Sequence, residues 1–255
     1  MTVKPEAFKP DLGPVSPALR ALLAPKGVLR SGTNLSNFLL VTGRTETGDP
    51  TGVSPDMAAA IAGYLGVGVQ YIPYASPGLL ADDAGKDAWD IGLIGAEPQR
   101  AETIAFTPAY TEIEASYLVP ERSKLNTIAD VDAKGVTIAV TERTAYCLWL
   151  DRNIQNATLK HSIPPLDNAM RDFLETPCDA LAGLRPKLID DQRAVPGSRI
   201  IEGKFMAVQQ AIGTPRAKAD ALDFLTRFVE AAIASGFVGE LIRKHGAHGL
   251  SVAGK

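Results

Sequence analysis

The feature that most constrains this chain is an alternation of strand-like and helix-like segments that runs once, stops, and starts again. Short apolar runs at 27–30, 67–73 and 88–95 are separated by segments of helical period. The clearest of these, 55–65, puts Met57, Ile61, Tyr64 and Leu65 on one stripe and stops at Gly66. Strand and helix alternating over about the first 110 residues predict a parallel sheet with crossover helices, because parallel neighbours need a long connection. After a strand at 113–119 and a short capped helix over 125–131, the pattern restarts. It then reads strand 136–140, helix 144–156, strand 159–163, helix 167–174 and strand 179–183. Strands at 199–201 and 206–212 and helices over 218–235 and 238–245 complete the chain. Two α/β units predict two lobes with a ligand cleft between them.

Composition removes several function classes. The 255 residues amount to about 1.7 typical domains of ~150 residues. With 26 basic against 29 acidic side chains the net charge is −3, which lacks the basic footprint of a nucleic-acid binder. Two cysteines make neither a disulfide scaffold nor a Cys-rich zinc site. Cys147 lies one turn into a helix and Cys178 precedes a strand, opposite ends of a parallel layer, so no disulfide between them is expected. Of the three histidines, His245 and His248 read as a helix stop; no metal and no cofactor are expected. No phosphate loop or serine elbow appears, and no apolar run reaches the ~18 residues of a membrane span. The first dozen residues are Pro-rich and expected to be loosely held. They carry no secretory leader, which predicts a cytoplasmic protein as the sequence stands, or a periplasmic one from which a leader was removed.

Several blocks, in order, carry a family resemblance: Gly27-Val28-Leu29-Arg30; Gly52-Val53-Ser54-Pro55-Asp56-Met57; Trp89-Asp90-Ile91-Gly92-Leu93-Ile94-Gly95; Arg100-Ala101-Glu102; Phe106-Thr107-Pro108-Ala109-Tyr110; and Ile128-Ala129-Asp130-Val131. Together they resemble the type II periplasmic solute-binding proteins, the polar-amino-acid branch of ABC-transporter receptors, over about 20–248. The resemblance implies an α/β, two-lobed periplasmic-binding-protein-like type II fold with two crossing hinge strands, closing over a solute. An N-terminal extension would occupy 1–19, lobe 1 would span 20–113 completed by 209–250, and lobe 2 would span 119–203. The hinges would fall near 114–118 and 205–208. A small-molecule carboxylate ligand, a monomer and, if the chain is exported, an ABC permease partner are implied.

Arg100 matches the family arginine that clamps a ligand carboxylate, a task suited to a planar guanidinium. Three positions earlier Glu97 replaces the family's threonine, so it either neutralises Arg100 or accepts from a ligand donor. Glu114 shares a strand face with Glu112 and is either a cleft carboxylate, acting as acid, base or cation partner, or part of a solvated edge. Thr144 matches the family threonine that opens the first helix of lobe 2, and it also suits an ordinary N-cap. Arg143 stands where the family has glycine and could add a cation. Asn37 and Phe38 follow the first strand, where the family places an aromatic against its ligand; packing is the other role for Phe38. One of Gln209 and Gln210 should face inward, and Gln210 is taken as that ligand candidate. Leu184 stands where the family has the aspartate that holds a ligand ammonium, which argues against a standard α-amino acid unless Glu97 or Glu114 substitutes, and points to an organic acid or aromatic carboxylate.

Two functions fit. The first is a solute-binding protein that captures a small carboxylate-bearing solute without chemistry. The second is a cytoplasmic dehydratase-like lyase on the same fold, with Glu97 or Glu114 as general acid or base. A cytoplasmic sensor of the solute is a third.

Overall fold

The computed structural model describes residues 8–254, so Met1 and the rest of 1–7 in the expected N-terminal extension lie outside the described residues. The described part of that extension is docked, contrary to expectation. Phe8 stacks on Phe237 with ring centroids 4.2 Å apart and meets Phe228 edge-on. Gly13 O accepts from the Tyr64 hydroxyl at 2.7 Å. The apolar ring, rather than the flanking prolines, decides how this segment lies.

The chain divides into two compact units: residues up to Glu112 together with those from Gln209 onward, and Ile113–Val208 between them. The first unit opens with α1 (Pro17–Leu23), capped by Ser16 Oγ accepting from Leu19 N at 3.1 Å. There follow β1 (Val28–Asn34), a small hairpin of β2 (Gly43–Arg44) and β3 (Pro50–Thr51), α2 (Val53–Leu65), β4 (Gly68–Tyr74), α3 (Pro77–Asp82) and β5 (Ile91–Gly95). α2 ends on Gly66 at φ 70°, a left-handed stop that glycine adopts without steric cost. β1 pairs in parallel with β4 on one side and β5 on the other. Gly32 and Gly92 leave room for Leu80 and Trp89 to press on the sheet; a Cβ on Gly92 would come within 2.9 Å of Leu80.

The chain passes to the second unit within β6 (Ile104–Pro120). That unit contains β7 (Thr137–Thr141), α4 (Ala145–Asn153), β8 (Thr158–Ser162), α5 (Asp167–Glu175), β9 (Ala180–Leu184), α6 (Arg185–Ala194) and β10 (Ser198–Ile200). β7 lies in parallel between β8 and β9, and β9 is antiparallel to β6. The chain returns within β11 (Met206–Pro215), which is antiparallel to β5, and closes the first unit with α7 (Leu222–Ala234), α8 (Phe237–Lys244) and β12 (Leu250–Val252).

A buried ion cluster fastens the first unit. Asp90, fully buried, accepts from Arg30 Nη2 at 2.7 Å and Nε at 3.0 Å, and Lys218 Nζ also reaches its Oδ1. The single helix expected over 218–235 is therefore two pieces. A 3-10 segment, Arg216–Ala221, carries Lys218 in a non-helical conformation, and α7 begins only after it.

Candidate functional site

Both units wind the same way, and that winding sets where the strand order of each switches. In the first, the chain goes from β1 outward to β4, then back across β1 to β5. The direction therefore switches between β1 and β5, and ligands of open α/β sheets bind outside the carboxyl ends of strands at such a switch. In the second unit β7 connects to β8 on one side and β9 lies on the other, so the switch is between β7 and β9.

At the first switch the loop after β1 is built by two asparagines. Asn34 Oδ1 accepts from Ser36 N at 3.2 Å and Ser36 Oγ at 2.8 Å; Asn37 Oδ1 accepts from Leu39 N and Leu40 N, each at 3.3 Å. Asn37 is thus buried as a loop builder, while Phe38 beside it is half-buried. Gly52 sits against this loop so closely that a Cβ would lie 2.2 Å from Leu40 O. After β5 come Glu97 and Arg100, only 5 % and 4 % exposed. Arg100 Nη1 donates to Gly95 O at 2.7 Å, and Ala101 N donates to Glu97 O at 2.9 Å, turning the chain back on itself. Gln210, 4 % exposed, pairs in register with Gly95. The structure therefore gathers Arg100 and Gln210 about Gly95, with Glu97 in the same turn. Gln209 points elsewhere, donating to Glu112 Oε2 at 3.0 Å.

At the second switch Thr144 caps α4: its Oγ1 accepts from Cys147 N at 3.2 Å and donates to Thr141 O at 2.8 Å. Arg143 is exposed at φ 60°, which explains why glycine suits this position. The Tyr146 hydroxyl, pushed up to about 12 by burial, lies behind the cap. A small hollow here is lined by Thr141, Tyr146, Leu184, Lys187 and Asp191. Lys187 bridges Asp167 at 3.1 Å and Asp191, and burial raises the Asp191 carboxyl above its ordinary range. Leu184, 9 % exposed, precedes α6 without a side-chain cap.

Glu114 belongs to the second unit and is half-exposed rather than a buried carboxylate. It takes Lys204 Nζ at 3.2 Å and Arg185 Nε at 3.0 Å. Lys204 lowers its carboxyl first, burial opposes, and Arg185 adds to the lowering; the net result lies below the usual range. Glu114 therefore has the contacts of a cation partner, and a carboxylate ionised at neutral pH has no proton to give as an acid. Sequence reading did not single out Lys204 as its partner. Nor did it find Tyr110 Oη and Thr111 Oγ1, buried hydroxyls that lack a hydrogen-bond partner among the described residues. Nothing in residue type or spacing marks those hydroxyls. The histidine pair after α8 is a helix stop, with His245 Nε2 held on Asp56 at 2.7 Å.

The sequence model for bacterial extracellular solute-binding proteins, family 3, matches residues 32–248. The chain belongs to this family. Solved structures agree on the fold, which is the mixed α/β periplasmic-binding-protein type II fold. A variant of ArgBP from T. maritima is 19 % identical with a TM-score of 0.70, the match covering 90 % of this chain and 100 % of that one. An L-arginine-bound amino acid ABC transporter substrate-binding protein from Streptococcus pneumoniae is 19 % identical with a TM-score of 0.71, covering 93 % and 100 %. An ancestral amino acid-binding protein, AncCDT-1, a precursor of cyclohexadienyl dehydratase, is 18 % identical with a TM-score of 0.70, covering 90 % and 99 %. No curated protein matches the chain.

Proposed function

We propose that this solute-binding protein takes an amino acid or a related small carboxylate as its ligand and delivers it to an ABC permease, with Arg100 holding the ligand carboxylate. The observation that carries this reading is the placement of Arg100, a guanidinium 4 % exposed just after the carboxyl end of β5, where the strand order switches, held on Gly95 O, the residue that Gln210 pairs with in register, in the same turn as buried Glu97. A guanidinium can meet a carboxylate through two parallel charge-assisted bonds. Glu97 favours a ligand that also carries a cationic donor, and the arginine bound by the Streptococcus pneumoniae relative supports that class. Delivery to a permease requires export, which a leader in the native reading frame would provide.

Isothermal titration with L-arginine, L-lysine, L-glutamine and their deaminated acids tests the reading. One of them should bind. Arg100→Ala should weaken that binding by roughly 30-fold or more, the effect of removing one partner from a buried charge pair. Equal affinity in wild type and Arg100→Ala would remove the clamp.

A further inference from the structure

A second cluster of reactive side chains lies in the second unit, on residues that the solute-binding reading does not use. α4 is the crossover between the parallel strands β7 and β8, so it packs on one face of that layer. Alternation along β8 sends Lys160 and Ser162 to the α5 face. Lys160 Nζ donates to Thr176 Oγ1 at 2.9 Å, and Ser162 Oγ donates to Asp172 Oδ2 at 2.6 Å. His161 between them points to the other face, toward α4. On α4, Cys147 and Asp151 are four residues apart and share a side of the helix. The three meet: His161 Nε2 lies 2.8 Å from Asp151 Oδ1, and Cys147 Sγ lies 3.6 Å from Asp151 Oδ2. One donor atom from each of the three lies within 4.8 Å of the other two.

We propose that Cys147, Asp151 and His161 form a binding site for one zinc(II) ion, with water in the fourth position. The donor set, one sulfur, one imidazole nitrogen and one carboxylate oxygen, suits a borderline divalent metal rather than calcium or magnesium, which favour oxygen alone. Bonds of about 2.0–2.3 Å in tetrahedral geometry place ligand atoms roughly 3.3–3.7 Å apart, so the cluster needs to contract by only ~1 Å on its longest edge. Access is also suitable. Cys147 is buried and forms the floor, while the Asp151 and His161 side chains are 40 % and 41 % exposed and form an open rim. On binding, the thiol releases its proton to solvent and the imidazole carries its remaining proton on Nδ1; no electrons are transferred.

The site is tested on the untagged, chelator-stripped full chain with cobalt(II) as a spectroscopic probe and zinc(II) in calorimetry. One cobalt per chain should bind, with a sulfur-to-cobalt charge-transfer absorption that zinc(II) abolishes by displacement. Cys147→Ser should lose the absorption and Cys178→Ser should keep it. His161→Gln lies on the exposed rim and should fold normally. Loss of outer-sphere partners alone costs about 10–100-fold in metal affinity, so this variant should weaken zinc binding at least as much. Absence of stoichiometric uptake, an absorption that survives Cys147→Ser, or unchanged affinity in His161→Gln would each overturn the site.

Discussion

The same clasp closes both units, and its surroundings differ. In the first, Asp90 stands just before β5; its Oδ2 accepts from Arg30 N at 2.9 Å and its N donates to Arg30 O at 2.9 Å. In the second, Asp179 stands just before β9; its Oδ2 accepts from Thr137 N at 2.8 Å and its N donates to Thr137 O at 2.8 Å. Asp90 is fully buried and adds the Arg30 guanidinium and the Lys218 ammonium to the backbone pair. Asp179 is exposed and is held through backbone groups. Lys218 belongs to the part of the chain that returns after the second unit, so the clasp in the first unit also binds a discontinuous segment. The second unit is continuous in sequence and needs no such fastening. A motif that is a local tie in one unit has become a long-range charge cluster in the other.

The largest expected effect tests that contrast directly. Asp90→Asn leaves two cations facing a neutral amide in a buried site and should cost about 3–5 kcal/mol in denaturant unfolding. Asp179→Asn removes an exposed charge from a hydrogen-bonded tie and should cost about 0.5–1.5 kcal/mol. Equal costs would break the comparison.

The loops at the two switches differ as well. The loop after β1 leans on Gly52 at φ 147°, where a Cβ would strike Leu40 O. Gly52→Ala should cost about 2–4 kcal/mol by thermal unfolding, combining strain with overpacking. A neutral result would show that the 35–41 segment gives way easily.

A third contrast is electrostatic. Asp56 on α2 meets Lys244 Nζ at the end of α8 and Nε2 of His245, which caps it, both at 2.7 Å. Burial opposes its ionisation, but His245 and Lys244 outweigh it and hold the carboxyl below its usual range. A depressed carboxylate contributes stability that is present above its unfolded value near 4 and lost as pH falls through its folded value. Asp56→Asn should therefore cost about 1.5–3 kcal/mol at neutral pH and flatten the acid side of the stability profile. Glu114, more exposed, should give a smaller change of the same sign.

The smallest effect belongs to Arg143. Its φ of 60° costs an L-residue about 1–2 kcal/mol, while glycine adds about 0.4–1 kcal/mol of unfolded-state entropy. Arg143→Gly should raise the melting temperature by no more than about 6 °C. A fall would mean that the arginine side chain holds more than its backbone gives up.

Much of the fold was legible because amphipathic periods are local. The helix expected over 55–65 is Val53–Leu65, and the second alternation is realised as β7 through β9. α6 was not anticipated, since Leu188 and Asp191 are its only buried side chains and make no apolar stripe. β6 is far longer than the strand expected over 113–119; Pro108 reads as a break, yet the strand carries it. Arg100, Glu97 and Gln210 were singled out from sequence, and the register of β5 against β11 is what brings Arg100 and Gln210 to the same glycine.

By itself the sequence determined two α/β windings, and with them the loops that hold the candidate site residues, because period, caps and turn chemistry act within a few residues. Only the tertiary structure decided who meets whom. It put Asp90 with Arg30 and Lys218, Glu114 with Lys204 and Arg185, and Cys147 with Asp151 and His161. Charge pairing and metal-donor geometry depend on distance in space, and tertiary packing sets that distance between residues as much as 189 positions apart.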